Sequence, residues 1–181
     1  MPQSDNKHAI AMYNGIEQHI GHTQAEEFLA QLPLSKSADY LKKFAWATHV
    51  CAYLEERFSA EDIAQIRAAC SCDPGGKAAK AKTLYEASAN LQEFCARFNQ
   101  AYAPENILET KDDALFLIYP TCYCSCVNRI DKQLPAIWCY CTLGYTKKMF
   151  EHILERSVTV ELLESVKTGD GRCVIKIDWS N

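Results

Sequence analysis

The chain has 181 residues, 48% of them apolar and 23% charged, with a formal charge of −4. That is long enough to bury a sizeable core without covalent staples, and the acidic balance argues against the basic surface that nucleic acid requires. No apolar run approaches the roughly 18 residues of a membrane span. The opening Met1-Pro2-Gln3-Ser4-Asp5-Asn6-Lys7 lacks the layout of a signal peptide, so a cytoplasmic location is expected.

In chain order the first half reads as helical. Thr23-Gln24-Ala25-Glu26 has the form of a capping box opening a helix with Phe28, Leu29 and Leu32, which stops near Pro33. Ser37 or Asp39 starts a longer helix, in which Leu41, Phe44, Thr48, Cys51, Leu54 and Phe58 recur at three- and four-residue steps. Ser59-Ala60-Glu61-Asp62 caps the next, with Ile63, Ile66 and Cys70 inward and a stop at Asp73-Pro74-Gly75-Gly76. Lys77, Lys80 and Lys82 read as a solvated helix face. Asn90 caps a helix carrying Phe94, Cys95 and Phe98, and residues 101–113 read as a loop.

From Ala114 the period changes to that of strands. Ala114–Tyr119 has strand length, Gly144 precedes an amphipathic helix, and 158–163 and 173–179 alternate as two strands around Thr168-Gly169-Asp170-Gly171. The expected class is α+β: a helical region over 1–113 and an antiparallel sheet with a crossing helix over 114–181, packed as one domain.

Ten cysteines are the chain's most unusual feature. Cys122, Cys124 and Cys126 alternate with other residues, and so do Cys139 and Cys141. On strands each set shares one face. As arms of a hairpin, 122–126 and 137–141 would set Cys122 against Cys141 and Cys124 against Cys139, with Tyr123, Trp138 and Tyr140 behind as ligand-contacting aromatics. In a reducing compartment such thiols point to metal, redox or catalytic use. Soft thiolates favour zinc before iron–sulfur, with Cys122, Cys124, Cys139, Cys141 and Cys173 as candidate ligands. Cys70 and Cys72 could approach from another direction. Cys51 and Cys95, on apolar helix stripes, read as core. The five histidines show no metal spacing with the cysteines. Cys141, just ahead of a helix N-terminus that favours a thiolate, is the best single nucleophile, with Tyr145 and Asp170 as pocket groups.

Residues 138–145, the helix after them, 158–165 and Gly169-Asp170-Gly171-Arg172-Cys173 resemble the end of 4-vinyl reductase-type domains and of the 2-amino-thiazoline-4-carboxylate hydrolase family. The whole chain also looks like a member of a cysteine-rich bacterial family with this ending. The resemblance implies an α+β ligand-binding fold of the group that includes haem/nitric-oxide-binding domains, with Cys141, Gly144, Tyr145, Gly169, Asp170 and Cys173 as signature positions. Three functions follow as expectations. The first is a domain binding a small molecule or metal ion at a thiol-lined site. The second is a cysteine-dependent hydrolase, and the third a thiol redox sensor or interaction protein. Homodimerisation is left open.

Overall fold

A computed structural model describes residues 4–179. Among them are seven α-helices and a four-stranded antiparallel sheet in the order β1-β2-β4-β3, so the chain is an α+β protein. It divides into two compact units interleaved in sequence: residues up to Ser71 with Tyr123–Gly144, and Cys72–Cys122 with the residues from Tyr145 onward.

The first unit holds α1 (Lys7–His19), α2 (His22–Gln31), α3 (Tyr40–Arg57) and α4 (Ala60–Ala69). A 3₁₀ turn at Ala136–Cys139 follows, running into the start of α7 (Tyr140–Leu154). Asp39 accepts from the Lys42 amide to start α3, and Ser59 and Asp62 close a reciprocal capping box on α4. The capping box expected at Thr23 does not form. Gly21 is the N-cap of α2, two residues earlier than the hydroxyl would place it. Phe28, Trp46 and Tyr53 pack edge to face at centroid distances of 5.5–6.3 Å.

Two glycines bring the helices of this unit together. A Cβ on Gly15 would stand 2.7 Å from the Ile66 carbonyl, and one on Gly144 2.1 Å from that of Ala68. Both α1 and α7 therefore approach the last turn of α4 at backbone distance. Gly144 is thus not the start of α7, which opens at Tyr140; it lies inside the helix, at the point of closest approach.

In the second unit α5 (Gly75–Glu86), α6 (Leu91–Tyr102) and the later turns of α7 bury Ala81, Phe94, Phe98, Met149, Phe150 and Ile153 against Leu108, Leu115, Leu117 and Ile177 of the sheet. Asn90 caps α6 through the Glu93 amide. The segment expected as a loop contains β1 (Ile107–Lys111), paired with β2 (Ala114–Tyr119). Asp112 and Asp113 join them with φ of 51° and 60°, the left-handed pair of a tight hairpin turn built without glycine. β3 (Thr159–Glu164) and β4 (Cys173–Asp178) pair as expected, with a register shift between Leu162 and Glu164.

The cysteine hairpin is absent. Residues 122–124 have no regular structure, 125–129 form a turn in which the Val127 and Asn128 amides both reach the Cys124 carbonyl, and 136–141 are helical. Proline at 135, with φ −53°, opens the 3₁₀ turn. Once helical, Cys139 and Cys141 lie about 200° apart around the axis rather than on one face. Period-two spacing is compatible with a strand but does not impose one.

Candidate functional site

The centre of the first unit is Arg67. On α4, Ile63, Ile66, Arg67 and Cys70 form one stripe at steps of three and four, so the guanidinium is carried inward with its apolar neighbours. Arg67 is only 3% exposed. Its Nε donates to the Ile137 carbonyl at 3.2 Å, Nη1 contacts Met12 Sδ at 2.9 Å, and Nη2 donates to the Trp138 carbonyl. Its Cζ stands 4.5 Å from the Trp138 ring centroid, a desolvated cation–π contact worth up to about 2 kcal/mol.

Among the described residues no carboxylate forms an ion pair with Arg67. What surrounds it instead is sulfur. Burial works against the charge, but the thiolates that Cys141, Cys70, Cys51 and Cys124 form at alkaline pH outweigh it there and hold the guanidinium above its ordinary value. Coulomb attraction is reciprocal, so the same charge favours an anion on those sulfurs.

The four sulfurs are not equivalent. Burial pushes the Cys51 thiol up to about 11, and Cys126 nearby to about 12, so both stay protonated at neutral pH. Cys70 caps the C-terminus of α4; its Sγ donates to the Ala11 and Ile66 carbonyls and shares Met12 Sδ with Arg67. Cys141 has the opposite setting. It lies in the first turn of α7, half-buried, and its Sγ shares the Trp138 carbonyl with Arg67 Nη2. As a thiol it donates to that carbonyl, while the start of α7 and the guanidinium set positive charge toward it. Beside it the Trp138 indole N–H is buried and has no hydrogen-bond partner among the described residues.

The other expected site residues are placed as follows. In the first unit Tyr123 is exposed, while Tyr140, Cys124 and Cys139 are half-buried. In the second unit Cys72 is exposed and Cys122 half-buried. Cys173 Sγ accepts from the Val166 amide at 3.4 Å. Tyr145 is half-buried, and its phenol is raised mainly by desolvation. Asp170 accepts from the Ser165 amide at 2.8 Å and the Thr168 hydroxyl at 3.0 Å, which hold its carboxyl below the ordinary range and brace the turn before β4. Cys51 and Cys95 are core. Among the described residues no three of His, Cys, Asp and Glu gather in a group that could hold a metal ion, so the zinc site expected of the cysteine plate is without support.

Sequence reasoning passed over Arg67 and His8. The signal for Arg67 was present, since a cation occupies the core stripe Ile63–Ile66–Cys70. For His8 there was none, because Lys36 and Lys43, which surround it, are distant in sequence.

A family model described as "Family of unknown function (DUF6144)" matches residues 3–181. The chain belongs to that family. No curated protein matches it. Solved structures similar to it include a mutant H-NOX domain from Shewanella oneidensis in the Fe(II)CO state, at 12% identity and TM-score 0.47, covering 97% of this chain and 98% of that one. An S. oneidensis H-NOX protein in the Fe(II)NO state gives 12% identity and TM-score 0.47, covering 97% and 99%. The resemblance to 4-vinyl reductase-type and amino-thiazoline hydrolase domains is overturned, because a different family covers the chain. The cysteine–Gly-Tyr segment that suggested it spans the end of the 3₁₀ turn and the first turns of α7.

Proposed function

We propose that this protein is a small-molecule-binding domain whose reactive centre is Cys141, biased toward thiolate by the buried charge of Arg67. One observation carries the reading. A guanidinium that is 3% exposed, with no carboxylate paired to it among the described residues, is faced by sulfur. Burying an ion without a counter-charge costs several kcal/mol; an adjacent thiolate offsets that cost and is itself a soft nucleophile. The ligand class this suits is a small, electron-poor molecule that reacts with or rests against sulfur.

Alkylation by iodoacetamide tests the reading, since the thiolate attacks carbon, an S–C bond forms and iodide leaves. Rates would be mapped residue by residue by mass spectrometry across pH, with exposed Cys72 as the internal reference. We expect Cys141 to react at neutral pH at least as fast as Cys72 despite its partial burial, and to level off at lower pH. If Cys141 reacts only above the ordinary thiol value of 9.0, and more slowly than Cys72, the reading is wrong.

A further inference from the structure

A second feature of the first unit is independent of the thiols. A cavity of about 330 Å³ opens at the start of α1, a size suited to a small ligand. Its polar lining comes from four separate segments. Lys7 and His8 belong to the first turn of α1, Lys36 to the connection after α2, Lys43 to α3, and Ser125 to the turn that replaced the expected strand. Asp5 supplies the one carboxylate, and its Oδ1 accepts from the Lys36 amide at 3.0 Å.

The charge at this place runs against that of the chain. The whole sequence carries −4, yet the cavity holds three ammonium groups against one carboxylate, leaving two positive charges in excess. Among the described residues, none of the ion pairs uses Lys7, Lys36 or Lys43. His8 reports the resulting field. Burial, followed by the charges of Lys7, Lys43 and Arg67, drives its ring down to about 4, so it is neutral at physiological pH. Its Nε2 stands 3.4 Å from Ser125 Oγ, so a neutral imidazole and a hydroxyl offer further hydrogen bonds beside the cations.

We propose that this cavity binds a doubly charged tetrahedral oxyanion, the phosphate or sulfate group of a small molecule, between Lys36, Lys43 and Lys7. Such a group would match the excess charge, whereas a single carboxylate would leave half of it uncompensated. The anion would also relieve the repulsion acting on His8. By linkage the ring's proton affinity must then rise on binding, and anion affinity must rise as pH falls toward the His8 midpoint. The groups that set this response are Lys7 and Asp5 at the start of α1, Lys36, Lys43 from α3 and Arg67 from α4.

The test is an NMR titration of the full chain at neutral pH with sodium sulfate, against sodium chloride at equal ionic strength. Saturable shifts confined to Lys7, His8, Lys36, Lys43 and Ser125 are expected with sulfate only. The His8 midpoint should climb from about 4 in saturating sulfate and by less in matched chloride, since chloride reports screening alone. The Lys36→Gln/Lys43→Gln double variant, altered at positions outside the core, should lose the sulfate-specific component. Inorganic phosphate should reproduce the sulfate response, and acetate should do no more than chloride. Identical sulfate and chloride curves would overturn the proposal, as would a sulfate response that survives in the double variant. An acetate response equal to that of sulfate would overturn the dianion assignment. Cys141 alkylation does not enter the readout, so this result and that of the thiol test fail separately.

Discussion

Position 67 continues the core stripe of α4, where Ile63 and Ile66 are buried, yet it carries a guanidinium. Two carbonyls and an indole face replace the missing carboxylate, and these are neutral partners that leave the net charge in place. That is why the neighbouring sulfurs matter. Replacing Arg67 by Met removes a buried ion, which is favourable, but leaves the Ile137 and Trp138 carbonyls without this donor, at about 1–3 kcal/mol. The opposing terms predict a modest net loss, below about 2 kcal/mol by urea denaturation. Reactivity should respond much more. A thiol's anionic fraction falls as its midpoint rises, so Cys141 alkylation at neutral pH should slow in Arg67→Met. Arg67→Lys, which keeps the charge and loses the planar fork, should recover most of the rate. An unchanged rate in Arg67→Met would show that the guanidinium serves packing alone.

At the scale of elements, glycine has opposite meanings in two helices. Gly144 of α7 and Gly76 of α5 both sit where alanine has the better intrinsic propensity. A Cβ at 144 would meet the Ala68 carbonyl at 2.1 Å, and backbone cannot swing aside as a flexible side chain can. Gly144→Ala is expected to cost about 1–3 kcal/mol, the usual range for overpacking. Gly76 has nothing within 4 Å of the same position. Gly76→Ala should therefore stabilise by about 0.5–1 kcal/mol, and thermal melts of the two variants should move in opposite directions. The β1–β2 turn offers a third case. Asp113 sits at φ 60°, and Asp113→Gly should remove its strain and raise stability by about 1 kcal/mol. These elements also show what the sequence carried. Caps at Asp39, Ser59 and Asn90 were legible because a side-chain acceptor three residues before an amide is a local device. The strands at 114, 159 and 173 were legible by their period. β1 was not, since Ile107-Leu108-Glu109-Thr110-Lys111 has little alternation and its turn lacks glycine. The cysteine segments misled because alternation over five residues is too short to separate a strand from a turn or a helix start. Cys141 was expected just ahead of a helix beginning near Gly144 but lies within one that opens at Tyr140; its partner Arg67 lies on another helix, and only tertiary packing brings the two together.

For the molecule as a whole, the titrating groups predict loss of stability on both sides of neutrality, from different residues. His8 is held near 4 when folded against 6.5 as its ordinary value, so the unfolded chain binds the extra proton first. Stability conferred by this depressed midpoint is present above 6.5 and is lost as pH falls toward 4. A shift of this size in an enclosed group would be worth about 3 kcal/mol; the ring is partly open to solvent, so about 1–2 kcal/mol is expected. Glu17, Glu93, Glu164 and Asp170 are likewise depressed, chiefly by hydrogen bonds to the carboxylates, and add a further loss at lower pH. On the alkaline side the signs reverse. Burial raises Cys51 and Cys95 to about 11 and Cys126 to about 12 from an ordinary 9.0. Their contribution is complete below 9.0 and disappears as pH climbs through those values. Urea denaturation across pH should therefore show a plateau between about 7 and 9, with separate acid and alkaline limbs. His8→Gln should flatten the upper part of the acid limb and leave the alkaline limb untouched, while Cys51→Ala should do the reverse, at the cost of a cavity. An acid limb unchanged in His8→Gln would mean that burial and the lysines around the α1 cavity together do not depress that ring, and the anion site proposed there would lose the support of His8.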